Sequence, residues 1–131
     1  MKKLDSTLDI GNFGERLAVR YLRLHGYTVK ERNWRTGHME LDIIAASLRT
    51  LAFVEVKTRT YTPETIGEAP PPGHAVNSEK QRLTRRAAQR YLFEHPTKKQ
   101  PRMDVIEVWL IKENDRPSPR VAKIHHIKAA Y

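Results

Sequence analysis

Apolar and polar residues alternate along residues 39–59, MELDIIAASLRTLAFVEVKTR, in the pattern of a β-hairpin. A turn at residues 47–50 would fix the register, because directly opposed residues share a face of the sheet. A slip by one residue would place Asp42 on a wholly apolar face, so the pattern favours this register. The opposed pairs that it predicts are Ala46 with Leu51, Asp42 with Glu55, and Glu40 with Lys57.

The predicted hairpin has one apolar face and one face that is charged at one end. The apolar face consists of Met39, Leu41, Ile43, Ala45, Ala52, Val54 and Val56. The other face consists of Glu40, Asp42, Ile44, Ala46, Leu51, Phe53, Glu55 and Lys57. Three acids beside one lysine repel one another, and a divalent cation would balance them. The alternative is a solvated edge, with the acids in water and Lys57 paired to Glu40.

Residues 12–25 have helical periodicity, with apolar residues on one broad stripe. Asn12 is a plausible N-cap, Glu15 would complete a capping box, and Gly26 suits the position after the helix. Glu15 has a second interpretation, as a carboxylate directed from the helix towards the sheet. The two roles are compatible.

Residues 78–95 form the clearest helix, with Ser78 as the N-cap and Gln81 completing a capping box. Its basic residues are either a solvated surface or a set of phosphate contacts. Few acids accompany them, apart from Glu79 and Glu94 near the ends, which favours phosphate contacts. These basic residues are Lys80, Arg82, Arg85, Arg86 and Arg90.

The remaining segments complete a single α/β domain. Strands are predicted at 27–33, 102–111 and 120–127, and a turn at 34–38. Residues 59–77 contain three consecutive prolines and no periodicity, which indicates a long loop beside the charged strand end. The order of elements predicts a mixed α/β sandwich with a central sheet.

The formal net charge of +9 and the pI near 10.0 favour a polyanionic partner, most simply nucleic acid. The chain of 131 residues has no cysteine, which excludes disulfides and thiolate metal sites. It has no apolar run of membrane-spanning length, and its lysine-containing N-terminus does not resemble a secretory signal. We therefore expect a cytoplasmic protein without a membrane partner.

The charged end of the hairpin suits a hard divalent cation. Mg²⁺ prefers carboxylates, water and phosphate oxygens, which Asp42, Glu55 and a substrate would supply. With Lys57 nearby, the pattern favours hydrolysis of phosphodiester bonds assisted by Mg²⁺ or Mn²⁺. The histidines show no paired spacing for a metal site.

Asp42 followed after twelve residues by Glu55-Val56-Lys57 resembles the signature of the PD-(D/E)xK, or restriction-endonuclease-like, nucleases. The segments GNFGERLAVRYLRLHGYTVKERNWR, ELDIIA, FVEVKTR and PRMDVIEV resemble the YraN (UPF0102) family in order and spacing. That family is similar to archaeal Holliday-junction resolvases. The resemblance implies a three-layer restriction-endonuclease-like core with a central mixed sheet. Met39 departs from the glycine that the family usually has there.

The resemblance also implies roles for individual residues. Asp42, Glu55 and the Val56 carbonyl would hold Mg²⁺ or Mn²⁺, Glu15 or Glu40 would join them, and Lys57 would be the catalytic lysine. The expected function is a DNA endonuclease, acting on branched or structured DNA and dimeric if it resembles a resolvase. The expected phosphate contacts are the basic residues of helix 78–95 together with Arg35 and Arg59.

Two other functions remain compatible with the sequence. One is a non-catalytic nucleic-acid-binding module that retains the nuclease fold, and the other is a protein-interaction module whose acids have a structural role. RNA also remains open as the nucleic acid, because recognition by shape leaves no sequence motif.

Overall fold

The computed structural model describes residues 7–72 and 76–131. Expectations for the lysine-containing N-terminus at 1–6, and for residues 73–75 of the predicted loop, lie outside this range. The elements are helix α1 (Thr7–Leu24), strands β1 (Thr28–Thr36), β2 (Met39–Ala46) and β3 (Thr50–Tyr61), a 3-10 turn (Ile66–Glu68), helix α2 (Ser78–Glu94), and strands β4 (Gln100–Ile111) and β5 (Arg120–Ile127).

The five strands form one mixed sheet in the order β1-β2-β3-β4-β5. Only β3 and β4 are parallel, and the connection between them contains α2. Because side chains alternate across the sheet, each face offers an apolar surface for a helix. Helix α1 packs on one face and α2 on the other, so the predicted three-layer α/β core is confirmed.

Helix α1 begins earlier than expected. It starts at Thr7, so Asn12 and Glu15 lie within the helix and the predicted capping box is wrong. Its end agrees with the sequence: Gly26 has φ +87°, and the Tyr27 amide donates to the Leu22 carbonyl at 3.0 Å. This bond is the mark of a Schellman motif, which needs a left-handed residue after the helix.

The N-cap of α2 also differs from the prediction. Asn77 is the cap, and its Oδ1 accepts a hydrogen bond from the Lys80 amide at 2.8 Å. The Gln81 side chain donates to the Val76 carbonyl at 3.1 Å instead of completing a box with Ser78. The sequence offers two adjacent capping residues, and Asn77, the first of them, is the cap.

Three strands are longer than predicted, since β4 begins at Gln100 instead of residue 102. β1 continues to Thr36, and β3 continues to Tyr61 because it pairs in parallel with β4 along its whole length. The predicted loop at 59–77 therefore begins after Tyr61 and contains a 3-10 turn. Sequence alternation could not show this extension, because pairing on a neighbouring strand supports residues that are polar in sequence.

The hairpin has the predicted register only in its apolar half. Ala46 pairs with Leu51, and the ladder continues to Ile43 opposite Val54, where it ends. The predicted oppositions of Asp42 with Glu55 and of Glu40 with Lys57 therefore lie outside the ladder. Glu40 pairs instead with Arg35 of β1, on the other side of β2.

The predicted division of the hairpin into two faces is also wrong at its charged end. Leu41 and Met39 pack on the α2 side with Ile44, whereas Ile43 packs on the α1 side. The alternation therefore shifts by one residue around Asp42. The register sets Asn33 of β1 across from this point, and Asn33 has φ +51°, a conformation that interrupts regular strand alternation.

None of the helices within the described part of the chain is long and apolar enough to cross a membrane.

Candidate functional site

The β2–β3 ladder opens at the point where the two principal acids meet. Beyond Ile43 and Val54, the Asp42 carboxylate takes the place of a backbone acceptor, and its Oδ2 accepts a hydrogen bond from the Val56 amide at 2.9 Å. This bond fixes the Asp42 side chain against β3, beside Glu55. The sheet thus holds two carboxylates at the opening between neighbouring strands.

Asp42 and Glu55 form a tightly coupled acid pair. Only 7% of Glu55 is exposed, and its carboxyl is hydrogen-bonded to that of Asp42. Burial, followed by the Asp42 charge, raises the pKa of Glu55 to about 7. Burial also raises the pKa of Asp42, although the bond from Val56 opposes this effect. The pair therefore favours a shared proton, or another cation, over two unbalanced charges.

Glu15 approaches the pair from α1. Its side chain is 12% exposed, and its Oε1 accepts no hydrogen bond from the residues that the structure describes. Arg32 Nη2 lies 3.8 Å from this oxygen. Burial, together with the Asp42 charge, raises the pKa of Glu15. Of its two predicted roles, the structure bears out the carboxylate directed towards the sheet.

Gly14 allows this approach. A Cβ at this position would overlap Thr58 Oγ1, so only glycine lets α1 lie this close to β3. The close contact sets the next residue, Glu15, at the wall of a cleft. The cleft has a volume of about 880 Å³. Its lining residues are Ile10, Gly11, Asn12, Glu15, Asn33, Arg35, Glu40, Asp42, Glu55, Val56, Thr58 and Thr60.

Two predicted site residues lie less centrally. Glu40 is paired with Arg35, whose Nη2 is 3.3 Å from Glu40 Oε2. Lys57 is half-buried on β3 and does not line the cleft, but its charge lowers the pKa of Glu55. The structure thus brings Glu15, Asp42, Glu55 and Val56 together, with Glu40 at the rim and Lys57 beside Glu55.

The oxygen atoms of this site suit a hard cation that the protein would bind through only a few ligands. Within residues 7–72 and 76–131, no three acidic or histidine side chains converge into a complete metal site. The protein ligands would therefore be the Asp42 and Glu55 carboxylates and the Val56 carbonyl, and water or phosphate would complete the shell. Mg²⁺ characteristically keeps several waters in such sites.

The basic residues of α2 have more partners than the sequence indicated. Arg82 pairs with Glu79 at 2.7 Å, and Arg90 with Glu94 at 3.0 Å, both across one helical turn. Arg86 is exposed. The few acids that the sequence shows at the ends of the helix thus neutralise part of its basic face.

Three other predicted phosphate ligands also have contacts within the protein. Arg59 Nε lies 3.2 Å from Oε1 of the buried Glu107. Arg85 lies over the ring of Tyr131 at 5.2 Å. Lys80 Nζ lies 3.5 Å from Glu55 Oε1, so this lysine belongs to the acid site.

Two neighbours of the acid site differ from the prediction, since the sequence indicated Lys80 only as a phosphate contact and did not indicate Tyr131. The Lys80 charge lowers the pKa of both Asp42 and Glu55, and the charges of Glu55 and Asp42 contribute to a raised pKa of Tyr131, which burial chiefly causes. No local pattern could have found these residues, because α2 and residue 131 reach the site only through tertiary packing. Asn33 had a weak signal, since asparagine tolerates positive φ more readily than most residues.

Another buried acid, Asp104, lies on β4 and is fully paired. Arg102 binds it with Nε and Nη2, both at 2.8 Å, and His126 Nε2 donates at 2.8 Å. The Ala129 amide donates at 3.0 Å. Burial alone would raise the pKa of Asp104, but the bonds from His126, Arg102 and Ala129 lower it overall.

Comparison with known proteins identifies the family. The model of the uncharacterised protein family UPF0102 matches residues 14–108. A UPF0102 protein of Bacteroides thetaiotaomicron is 42% identical over 94% of this chain and 92% of its own length. A UPF0102 protein of Alkaliphilus oremlandii is 41% identical over 93% of this chain and 97% of its own length. One of Myxococcus xanthus is 38% identical over 94% of this chain and 89% of its own length. The chain belongs to the UPF0102 family, which confirms the resemblance in its sequence.

Proposed function

We propose that this member of the UPF0102 family is a DNA endonuclease that hydrolyses phosphodiester bonds with the help of Mg²⁺ or Mn²⁺. The observation that carries the proposal is the coupled Asp42–Glu55 pair at the opening of the β2–β3 ladder, beside a polar cleft. A purely structural acid pair would be expected to have its charges matched inside the protein. In this pair both pKa values stay raised, chiefly by burial, although Lys80 lies 3.5 Å from Glu55, so its charges are only partly matched inside the protein.

A divalent cation held by Asp42, Glu55 and the Val56 carbonyl would polarise a phosphoryl oxygen and lower the pKa of a bound water. The remaining roles belong to the chain. The Val56 amide fixes the Asp42 carboxylate, which keeps the two acids adjacent. Lys57 orients the attacking water or neutralises the charge that develops on the phosphate. Oε1 of Glu15 accepts no hydrogen bond from the described residues, so it is available to accept a proton or a water hydrogen bond beside Arg32.

The basic surface would hold the nucleic-acid backbone. Arg86 is exposed, and the surface ion pairs of Arg82 and Arg90 can exchange an acid for a phosphate at small cost. Branched or structured DNA is the substrate that we propose first. A four-way junction needs paired incisions, so this substrate would require a two-fold dimer.

The test is the cleavage of end-labelled duplex, single-stranded, flap and four-way-junction DNA in Mg²⁺, Mn²⁺ or EDTA. Asp42→Asn and Lys57→Ala accompany the wild-type protein. Asparagine retains an acceptor for the Val56 amide, so Asp42→Asn removes charge with little change of shape.

We expect a metal-dependent product that both variants lose while binding DNA. Binding without a product from any substrate would contradict the proposal and favour a non-catalytic nucleic-acid-binding module. Weak binding at about 0.15 M salt would instead favour a protein-interaction module, because exposed charges are screened beyond roughly 8 Å there. The preferred substrate in the panel would decide between branched and ordinary DNA.

A further inference from the structure

We propose that Lys80 is the internal counter-ion of the acid pair, and that it leaves Glu55 for a substrate phosphate when a divalent cation occupies the site. The first half of this inference depends only on contacts within the protein. The second half rests on the metal site of the proposed function.

Lys80 is the cation that the structure places against the pair. Its Nζ lies 3.5 Å from Glu55 Oε1, and its charge acts on both Asp42 and Glu55. Lys57, two residues along β3, acts on Glu55 more weakly. Helix α2 thus supplies positive charge to the acid pair, for which the single lysine of the hairpin motif is not enough.

The backbone of Lys80 is held on both sides. Its amide donates to Asn77 Oδ1 at 2.8 Å, and its carbonyl accepts from Thr84 Oγ1 at 2.9 Å. The Tyr131 hydroxyl lies 2.6 Å from Thr84 Oγ1 and is hydrogen-bonded to it. Thr84 is 3% exposed. These contacts fix the base of the lysine side chain while leaving its ammonium group free to move.

The Lys80 side chain is suited to exchange partners. It is 42% exposed, whereas Glu55 is 7% exposed, so the ammonium approaches the buried acid from solvent. A divalent cation on Glu55 would repel the ammonium group, and a phosphate on that cation would attract it. A flexible lysine can move between these positions without any change in the helix.

A double-mutant cycle tests the first half in the metal-free protein. Lys80→Gln and Glu55→Gln are made singly and together, and the midpoint of thermal unfolding is measured. We expect Lys80→Gln to lower the midpoint by about 2–5 °C in wild-type Glu55, and to have little effect in Glu55→Gln. Equal effects in both backgrounds would overturn the counter-ion role.

Calorimetric titration with Mn²⁺, without DNA, tests the second half. We expect Lys80→Gln to bind Mn²⁺ about three- to fivefold more tightly than the wild type, the scale of a partly exposed ion pair. Lys80→Arg retains the charge and should restore wild-type affinity. Lys98→Gln is the matched control, since it removes one charge beside the distant β2–β3 turn.

Lys80→Gln should then cleave DNA more slowly although it binds Mn²⁺ more tightly. A merely structural lysine would not move the two quantities in opposite directions. Unchanged or weaker Mn²⁺ binding in Lys80→Gln would overturn the release of Lys80. If neither the wild type nor Lys80→Gln binds Mn²⁺, the metal site of the proposed function fails, and the cycle still decides the counter-ion role.

Discussion

Two buried acidic regions of one sheet differ in how their charge is balanced. Asp104 receives two bonds from Arg102, one from His126 and one from the Ala129 amide. The Asp42–Glu55 pair receives one backbone amide and a lysine at 3.5 Å. The first region has a lowered pKa, and both acids of the second have raised pKa values.

On the proposed function, this difference separates a structural acid from a functional one. Burying a charge costs free energy unless hydrogen bonds and counter-charges replace its water. Asp104 meets that condition within the protein, and it links β4 to β5 through His126 and to Tyr27 through Arg102. The Asp42–Glu55 pair meets that condition only in part, so its burial still costs free energy. Such a cost is typical of groups that act in binding or catalysis.

The largest expected effect concerns stability at Asp104. Asp104→Ala would leave Arg102 and His126 partly buried without their acceptor. We expect the free energy of unfolding, measured in urea, to fall by about 3–5 kcal/mol. Glu113→Gln, which breaks the exposed pair with Arg120, should have no measurable effect. A small effect at Asp104 would remove the distinction between the two regions.

The opposite result is expected at Asp42. Asp42→Asn should lower the rate of DNA cleavage by more than roughly 100-fold. Losing a residue that binds the metal directly should cost more activity than losing a residue that only supports a metal ligand. Its free energy of unfolding should be unchanged or higher, since the substitution removes a buried charge. A clear loss of stability in Asp42→Asn would instead indicate that Asp42 is a structural acid, as Asp104 is.

The two regions should also respond to pH with opposite signs. The pKa of Glu55 is raised from 4.5 to about 7, so the folded state holds its proton more tightly. The stability that this bound proton adds to the folded protein is fully present below pH 4.5 and is lost as the pH rises through about 7. Relative to Glu55→Gln, the metal-free wild type should therefore lose about 2–3 kcal/mol of stability over this range.

Asp104 provides the comparison for that pH series. Its pKa is lowered from 3.8 in the folded protein. Its contribution to the free energy of unfolding is therefore present above pH 3.8 and is lost as the pH falls through the folded pKa. Urea denaturation at several pH values gives both trends. A wild-type curve parallel to that of Glu55→Gln between pH 4.5 and 7 would contradict the acid-pair interpretation.

The smallest expected effect concerns the cleft wall. Gly14→Ala should destabilise the protein by about 1–3 kcal/mol, because the new methyl group overlaps Thr58 Oγ1. Gly11→Ala is the matched control on the same helix, since no atom lies within 4 Å of its added Cβ. The control should gain up to about 1 kcal/mol from helix propensity. Equal thermal midpoints would show that α1 can move away from β3.

Much of the fold was accessible from the sequence because local rules were consistent there. The alternation of the hairpin gave the register from Ala46–Leu51 to Ile43–Val54, and Gly26 marked the end of α1. The predictions failed where two local signals competed, as for the N-cap of α2. They also failed where a strand gained support from its neighbour, as at the end of β3.

The candidate site divides in the same way. The sequence predicted Asp42 beside Glu55, and the two acids do lie together, although the ladder ends at Ile43 and Val54 and the predicted alternation fails around Asp42. The arginines of α2 were predicted as phosphate contacts with few acids beside them, but Glu79 and Glu94 on the same helix pair with two of them. Helical spacing of three and four residues could have revealed those pairs.

The sequence by itself determined the layered α/β order, the apolar register and the acid pair, because each depends on periodicity or on short spacing. Only the tertiary structure decided where the ladder opens, how closely Gly14 brings α1 to β3, and that Lys80 faces Glu55. These features join residues that are distant in the chain. Their positions follow from the packing of both helices on one sheet, and no local pattern encodes that packing.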